Sequence, residues 1–295
     1  MNTHKAGFVN IVGLPNVGKS TLMNRLTGER LAIMSPKAQT TRGRLIGIVN
    51  EADYQIVFSD TPGYINEPAY ALQQSMNGFV KEALEDADVL LFITDKYQKT
   101  DEQQKLIDYC NQSKLPVIVL LNKVDLCKEN ELPKLQMLYE TLIPNSRFLA
   151  ISAKENFNVD GIIKMILELL PESPPYYDKE TLTDRNTRYF VSEIVREKIF
   201  LQYEKEIPYS CEVVVEEYKE LEKMDTIRCV IYVERDSQKN IVIGAKGAAI
   251  NKLGIEARKE MEAFLGKKVY LNLFVKVRDG WRNNENDLKR FGYKE

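Results

Sequence analysis

Over the first half of the chain, short apolar runs alternate with stretches of helical spacing. Phe8-Val9-Asn10-Ile11-Val12, Leu45 to Val49, Gln55-Ile56-Val57-Phe58-Ser59, Val89 to Thr94, Val117-Ile118-Val119-Leu120-Leu121 and Phe148-Leu149-Ala150-Ile151 read as strands. Ser20 to Leu26 and Val159 to Leu170 have helical spacing. Such alternation predicts a mostly parallel sheet with helices on both faces. After Leu170 comes Pro171-Glu172-Ser173-Pro174-Pro175-Tyr176-Tyr177-Asp178, where three prolines in five residues forbid a continuous helix and favour extended chain. A boundary is therefore expected here: a first domain over 1–172, a linker over 173–187 and a second domain over 188–295. In the second part, a helix is expected from Arg188 to Tyr203 and strands over Cys211 to Glu216, Thr226 to Val233 and Val269 to Val277, with a further helix opening at Ala248. That mixture predicts an α+β unit.

Chemistry enters between the first strand and helix. Gly13-Leu14-Pro15-Asn16-Val17-Gly18-Lys19-Ser20 matches G-x-x-x-x-G-K-[ST], a phosphate-cradling loop. Its glycines let successive backbone N–H groups turn inward on an anion, Lys19 reaches the β and γ phosphates, and the Ser20 hydroxyl is placed to ligate Mg²⁺. The helix that follows, through Thr21, adds its dipole beneath the phosphates. A nucleoside triphosphate is the expected ligand. The base is read elsewhere: Asn122-Lys123-Val124-Asp125 follows an apolar strand, and a carboxylate at Asp125 accepts from guanine N1–H and the exocyclic amine together. Adenine has no such donor pair and would leave the carboxylate unpaired. Ser152-Ala153-Lys154 ends another strand, where a tight turn offers a backbone N–H to the guanine carbonyl. Asp60-Thr61-Pro62-Gly63 supplies a carboxylate for the metal and a Gly63 N–H for the γ phosphate.

Taken in order, phosphate loop, DTPG, NKVD and SAK form the pattern of the P-loop GTPases, and Thr40-Thr41-Arg42 resembles the first switch of the Era and TrmE branch of bacterial GTPases. That resemblance implies that Thr41, with Thr40 as the alternative, joins Ser20 and Asp60 on Mg²⁺. Ras-like GTPases carry a water-orienting glutamine after the DxxG glycine, and here the position is Tyr64. The single histidine, His4, sits in a polar N-terminal stretch and is expected to be solvated. Some relatives place K⁺ where an arginine finger would put positive charge, with a phosphate-loop asparagine as ligand, which implies that role for Asn16. By this reading Asn16, Lys19, Thr41 and Gly63 carry catalysis.

In the second part, Ile243-Gly244-Ala245-Lys246-Gly247 leads into the helix carrying Ile250 and Lys252. A GxxG loop between helices clamps a single-stranded backbone, as in KH-type RNA-binding modules. Charge changes this picture only when the chain is divided. The 295 residues hold 41 basic and 43 acidic side chains, net −2, yet Lys239 to Glu295 carries 13 Lys and Arg against 7 Asp and Glu, net +6. Lys276, Arg278 and Arg282 are expected to form a cationic end, with Trp281 either on a base or in the core. Cys110, Cys127, Cys211 and Cys229 are widely spaced, which indicates neither a zinc site nor a disulfide framework. The N-terminus lacks a signal-peptide pattern and no apolar run reaches membrane-spanning length, so a cytoplasmic protein is expected.

Nearly the whole chain resembles the Era family of bacterial ribosome-assembly GTPases. The resemblance implies an α/β P-loop GTPase domain followed by an α+β type II KH domain, acting as a monomer on GTP/GDP with Mg²⁺ and K⁺. It further implies binding at the 16S rRNA 3′ end during 30S subunit assembly. Peripheral association at the cytoplasmic face of the inner membrane stays open, and a membrane-associated signalling or cell-cycle GTPase, whose second domain binds a protein or lipid partner, is the alternative.

Overall fold

The computed structural model describes residues 4–294, so the outermost bounds of both expected domains, and the stretch Met1-Asn2-Thr3 read for a signal peptide, lie outside the described residues. The chain divides into two compact units, residues 4–68 with Met76–Asp184, and Ala69–Ser75 with residues 185–294.

The first unit contains β1 (Lys5–Val12), α1 (Lys19–Thr27), β2 (Leu45–Asn50), β3 (Tyr54–Asp60), most of α2 (Ala71–Glu85), β4 (Val89–Asp95), α3 (Thr100–Gln112), β5 (Val117–Asn122), α4 (Leu132–Leu142), β6 (Arg147–Ala150) and α5 (Val159–Leu169). One six-stranded sheet runs β2-β3-β1-β4-β5-β6, with every neighbouring pair parallel except β2 and β3. All residues of β4 and β5 are buried, as expected for strands covered on both faces. Alternate residues go to opposite sides. Val9, Ile11, Phe58, Leu91 and Leu120 pack with Leu22 and Met23 of α1 and Ile162 and Ile166 of α5. Leu90, Phe92, Val119 and Leu121 pack with Val80 of α2, Leu106 and Ile107 of α3 and Tyr139 of α4. This arrangement brings the C-terminal ends of β1, β3, β4 and β5 to one edge of the sheet, where α/β proteins bind ligands.

The proline-rich segment does not hang free. Ser173 N–H donates to His4 O (3.0 Å), Gln55 Oε1 accepts the N–H groups of Tyr176 (2.7 Å) and Tyr177 (3.0 Å), Ile48 N–H donates to Leu182 O (2.8 Å), and Thr183 Oγ1 donates to Ile46 O (2.7 Å). Residues 173–183 thus run as a strap that is bonded along β2 and β3. His4, expected to be solvated, is instead half-buried, with Nδ1 2.9 Å from Ser173 O. The strap gives its ring a partner that no nearby sequence predicts.

In the second unit α6 (Thr187–Gln202) and α7 (Ile207–Ser210) precede β7 (Glu212–Lys219), β8 (Met224–Val233), α8 (Asp236–Ile243), α9 (Ala248–Leu265), β9 (Lys268–Val277) and α10 (Glu285–Arg290). β8 lies between antiparallel β7 and parallel β9. The α8–α9 pair makes the crossover between the two parallel strands. Ile227, Cys229, Ile231 and Val269 pack under Val195 and Ile199 of α6 and Leu253, Ala257 and Met261 of α9. Trp281 belongs to this unit's interior: it is buried, and its Nε1 donates to Ser210 O (2.9 Å). No helix among the described residues is long and apolar enough to cross a membrane. None of the four cysteines is in a disulfide, and Cys127 is half-buried while the others are buried.

Candidate nucleotide site and glycine-loop clamp

The phosphate loop links β1 to α1. Gly18 closes it at φ 103°, and a Cβ there would stand 2.3 Å from Asn122 Nδ2, so only glycine fits. Lys19 is buried, and its ammonium donates back to Gly13 O (3.1 Å) and Leu14 O (2.8 Å). Below it, three oxygens converge from separate elements: Ser20 Oγ donates to Asp60 Oδ2 (2.7 Å) and lies 2.8 Å from Thr41 Oγ1, which is 3.4 Å from the same carboxylate oxygen. Asp60 Oδ1 is buried with no hydrogen-bond partner among the described residues. A carboxylate and two hydroxyls with an unsatisfied buried oxygen are the hard donor set that a divalent cation takes. Thr40 points elsewhere, its hydroxyl donating to Lys37 O (2.8 Å) and lying 2.7 Å from Ser35 Oγ. Thr41 is therefore the threonine that meets Ser20 and Asp60.

Burial dominates the electrostatics here. It pulls the Lys19 ammonium down to about 8 against the opposing pull of Asp60. The same burial pushes the Asp60 carboxyl up to about 6, opposed by Lys19 and the hydroxyls of Ser20 and Thr41. Both groups are charged at a cost that an anion with its metal would relieve.

Pro15, Asn16, Lys19, Ser20, Thr41 and Gly63 line one cavity of about 340 Å³. Asn122, Asp125 and Lys154 line a second of about 600 Å³, and Gly18, Thr21, Met34 and Lys123 line both. Asn122 ties the loops together: its Nδ2 donates to Val17 O (2.8 Å) and its Oδ1 accepts the Ala153 N–H (2.9 Å). Asp125 is exposed, its carboxylate free to face a ligand. Ser152 and Ala153 are buried behind the second cavity, and of the SAK turn only Lys154 reaches the wall. Asn16 holds φ 64°, and its carbonyl accepts Lys123 Nζ (2.6 Å). Tyr64 packs partly against the core and its N–H donates to Gly13 O (3.2 Å), so it offers no water-orienting amide.

Two features escaped the motif reading. Asp95, at the end of β4, is buried, pairs with Lys123 Nζ (2.6 Å) and accepts the Tyr97 N–H (2.9 Å). Its signal was present, an apolar strand ending in a carboxylate. Ile33, Met34 and Ser35 also line the first cavity, and their stretch has no periodicity to betray it.

In the second unit Gly244, Lys246 and Gly247 all hold positive φ (72°, 50° and 80°), which turns the chain between α8 and α9. Ala245 and Lys246 are exposed at the tip, Lys252 is exposed on α9, and Ile243 and Ile250 are half-buried beside them. No side chain caps α9; its first N–H, from Ala248, donates to Ala245 O, which leaves the amides that follow for a ligand. Ile241 and Ile255, 49% and 48% exposed, add apolar surface near the loop that the motif did not single out. The expected cationic end is not one. Lys276 pairs with Glu216 (2.8 Å), Arg278 with Asp287 (2.7 Å) and Arg282 with Glu234, so neighbouring carboxylates from other elements cancel its charge.

Residues 8–123 match the 50S ribosome-binding GTPase family model, and residues 206–282 match the KH domain model. "GTPase Era" of Pseudomonas fluorescens (strain Pf0-1) is 42% identical over 99% of this chain and 98% of its own. "GTPase ERA-like, chloroplastic" of Oryza sativa subsp. japonica is 42% identical over 98% of this chain and 70% of its own. A crystal structure of Era in complex with MgGDPNP and nucleotides 1506-1542 of 16S ribosomal RNA superposes with a TM-score of 0.94 at 38% identity, covering 99% of this chain and 100% of that one. The likeness runs over nearly the whole of this chain and takes in both the GTPase and the KH regions, so the chain belongs to the GTPase Era family.

Proposed function

We propose that this GTPase couples hydrolysis of Mg²⁺-bound GTP to binding of the 3′ end of 16S rRNA in 30S subunit assembly. The reading is carried by the convergence of Ser20, Thr41 and Asp60 beneath Lys19, in a cavity that adjoins the Asp125 cavity. Gly13 to Thr21 would cradle the phosphates, and Asn122, Lys123, Asp125 and the Ser152-Ala153-Lys154 turn would hold guanine. Ser20, Thr41 and Asp60 would hold Mg²⁺, which would supply positive charge to the phosphates. With Tyr64 in place of the water-orienting glutamine, Lys19 and the Gly63 amide would meet the transition-state charge, and K⁺ held at Asn16 would add to it.

Ordering of Thr41 and the loop after Gly63 by GTP would change how RNA is admitted to the Ile243–Gly247 clamp, with Ile250 and Lys252 beside it. The functional division is a GTPase domain over 1–172, a linker over 173–187 and a KH domain over 188–295. The protein would work as a cytoplasmic monomer, with any membrane contact peripheral.

The test is GTP turnover in KCl and in NaCl, each with and without a short RNA from the 3′ end of 16S rRNA. Potassium is expected to raise the rate by about ten- to a hundredfold, an effect that Asn16→Ala removes. RNA should raise it further. Equal rates under all four conditions would overturn the coupling and leave a protein activator as the explanation.

A further inference from the structure

Arg25, in the last turn of α1, holds the SAK turn: Nε donates to Ala153 O (3.1 Å) and Nη2 to Lys154 O (3.0 Å). The two are consecutive carbonyls, and Arg25 and Lys154 both line the cavity that holds Asp125. We propose that Arg25 is a positioning residue for the 6-oxo group of guanine, aiming the backbone N–H that reads it.

The argument rests on peptide geometry. In a trans peptide the C=O and the following N–H share one plane and point in opposite directions. Holding the Ala153 carbonyl therefore fixes the direction of the Lys154 N–H. That N–H has no hydrogen-bond partner among the described residues, whereas the Ala153 N–H is taken by Asn122 Oδ1 (2.9 Å) and the Glu155 N–H by Ser152 Oγ (3.2 Å). Of the three successive amides only Lys154's remains for a ligand. Arg25's second bond, to the Lys154 carbonyl, clamps the next peptide plane and removes the remaining freedom of the turn. A guanidinium on a carbonyl also polarises the peptide, which makes its N–H the stronger donor. The rest of the turn is already tied by paired bonds between Ser152 and Phe157 (3.1 and 2.9 Å), so Arg25 acts on the one stretch that backbone ties leave loose.

This inference deepens the guanine reading proposed above and rests on it. The experiment measures competition against a fluorescent guanine nucleotide by GTP, ITP and 2-aminopurine riboside triphosphate. ITP keeps the 6-oxo group and N1–H and lacks the exocyclic amine that would donate to Asp125, while the 2-aminopurine nucleotide keeps the amine and lacks both the 6-oxo group and N1–H. Arg25→Ala is expected to weaken GTP and ITP alike, by about 5- to 20-fold, and to leave the 2-aminopurine nucleotide within about twofold. Arg25→Lys keeps the charge but cannot span two carbonyls, and should fall between. Because Arg25 is exposed, the Ala variant should melt with the parent. An equal loss for all three nucleotides would show general support of the pocket and overturn the assignment, as would no loss at all. A parent protein that binds the 2-aminopurine nucleotide as tightly as GTP would sink the guanine reading itself.

Discussion

Lys19→Met is expected to weaken GTP binding by roughly a thousandfold and, without nucleotide, to make the protein more stable. The first effect follows from what the ammonium would meet. Removing one partner of a buried charge pair costs about 2–5 kcal/mol, and 4 kcal/mol is about a thousandfold in affinity. The second follows from what it meets now. Burial holds Lys19 down to about 8, below its ordinary 10.5, so without a bound anion the charged form is disfavoured. A lysine depressed in the folded state costs stability below the folded value, and that cost fades as pH rises from about 8 to 10.5. Methionine fills the space without the charge. Asp60 loses its cation and takes up a proton more readily, which offsets part of the gain, leaving about 1–2 kcal/mol at pH 7. Thermal unfolding without nucleotide measures it, and a variant less stable than the parent would show that burial of the Lys19 ammonium carries no net cost.

The same shifts set the pH profile of the parent. Phosphate binding favours the ammonium, so above pH 8 each bound GTP must first restore a proton to Lys19, and affinity should fall toward tenfold per pH unit. As pH falls through about 6, Asp60 takes up a proton, which would compete with the metal. Affinity is therefore flat only between these limits. Calorimetry at pH 9 in two buffers of different ionisation enthalpy should show net proton uptake, and identical heats in both would remove Lys19 as the titrating group.

Which parts of this machine are legible in the chain follows from how local each signal is. Gly13 to Ser20 and Asn122 to Asp125 each act within one loop at a strand end, so a few neighbouring residues carry both the geometry and the chemistry. The uninterrupted apolar runs of β4 and β5 announce burial on both faces. Thr41 is different. Its meeting with Ser20 and Asp60 needs β2, β3 and α1 in place, and family resemblance had to choose it over Thr40. The strap from 173 to 183 and the partner of His4 depend on hydrogen bonds between residues more than a hundred positions apart, which no periodicity encodes. Lys276, Arg278 and Arg282 read as a cationic end because a sequence counts charges without pairing them. Asp95 was within reach, since a carboxylate closing a fully buried strand requires a partner.

The glycine loop yields the sharpest prediction for the second unit, and it lies in the difference between its two glycines. Gly244 holds φ 72° and ψ 175°, a region almost reserved for glycine, and a Cβ there would stand 2.6 Å from Ala249 Cβ and 2.9 Å from Ala249 N. Any substitution at Gly244 disturbs the first turn of α9, so lost RNA binding would not tell a repelled phosphate from a damaged clamp. Gly247 holds φ 80°, with nothing within 4 Å of a Cβ. Aspartate and asparagine enter that left-handed region more readily than other side chains, at about 1 kcal/mol, so both variants should fold with GTP binding intact. They differ by one charge at the open N-terminus of α9. Gly247→Asp sets a carboxylate where a phosphate would meet the helix amides, and like charges there cost several kcal/mol, about a hundredfold or more in RNA affinity. Gly247→Asn keeps the shape and should lose less than about tenfold. Fluorescence anisotropy with a short single-stranded RNA, repeated across salt, separates them: the Asp deficit should shrink as salt rises, because screening acts on repulsion and not on shape. If Asn weakens RNA binding as much as Asp, the loop acts through its conformation alone and the phosphate-clamp reading of α9 fails.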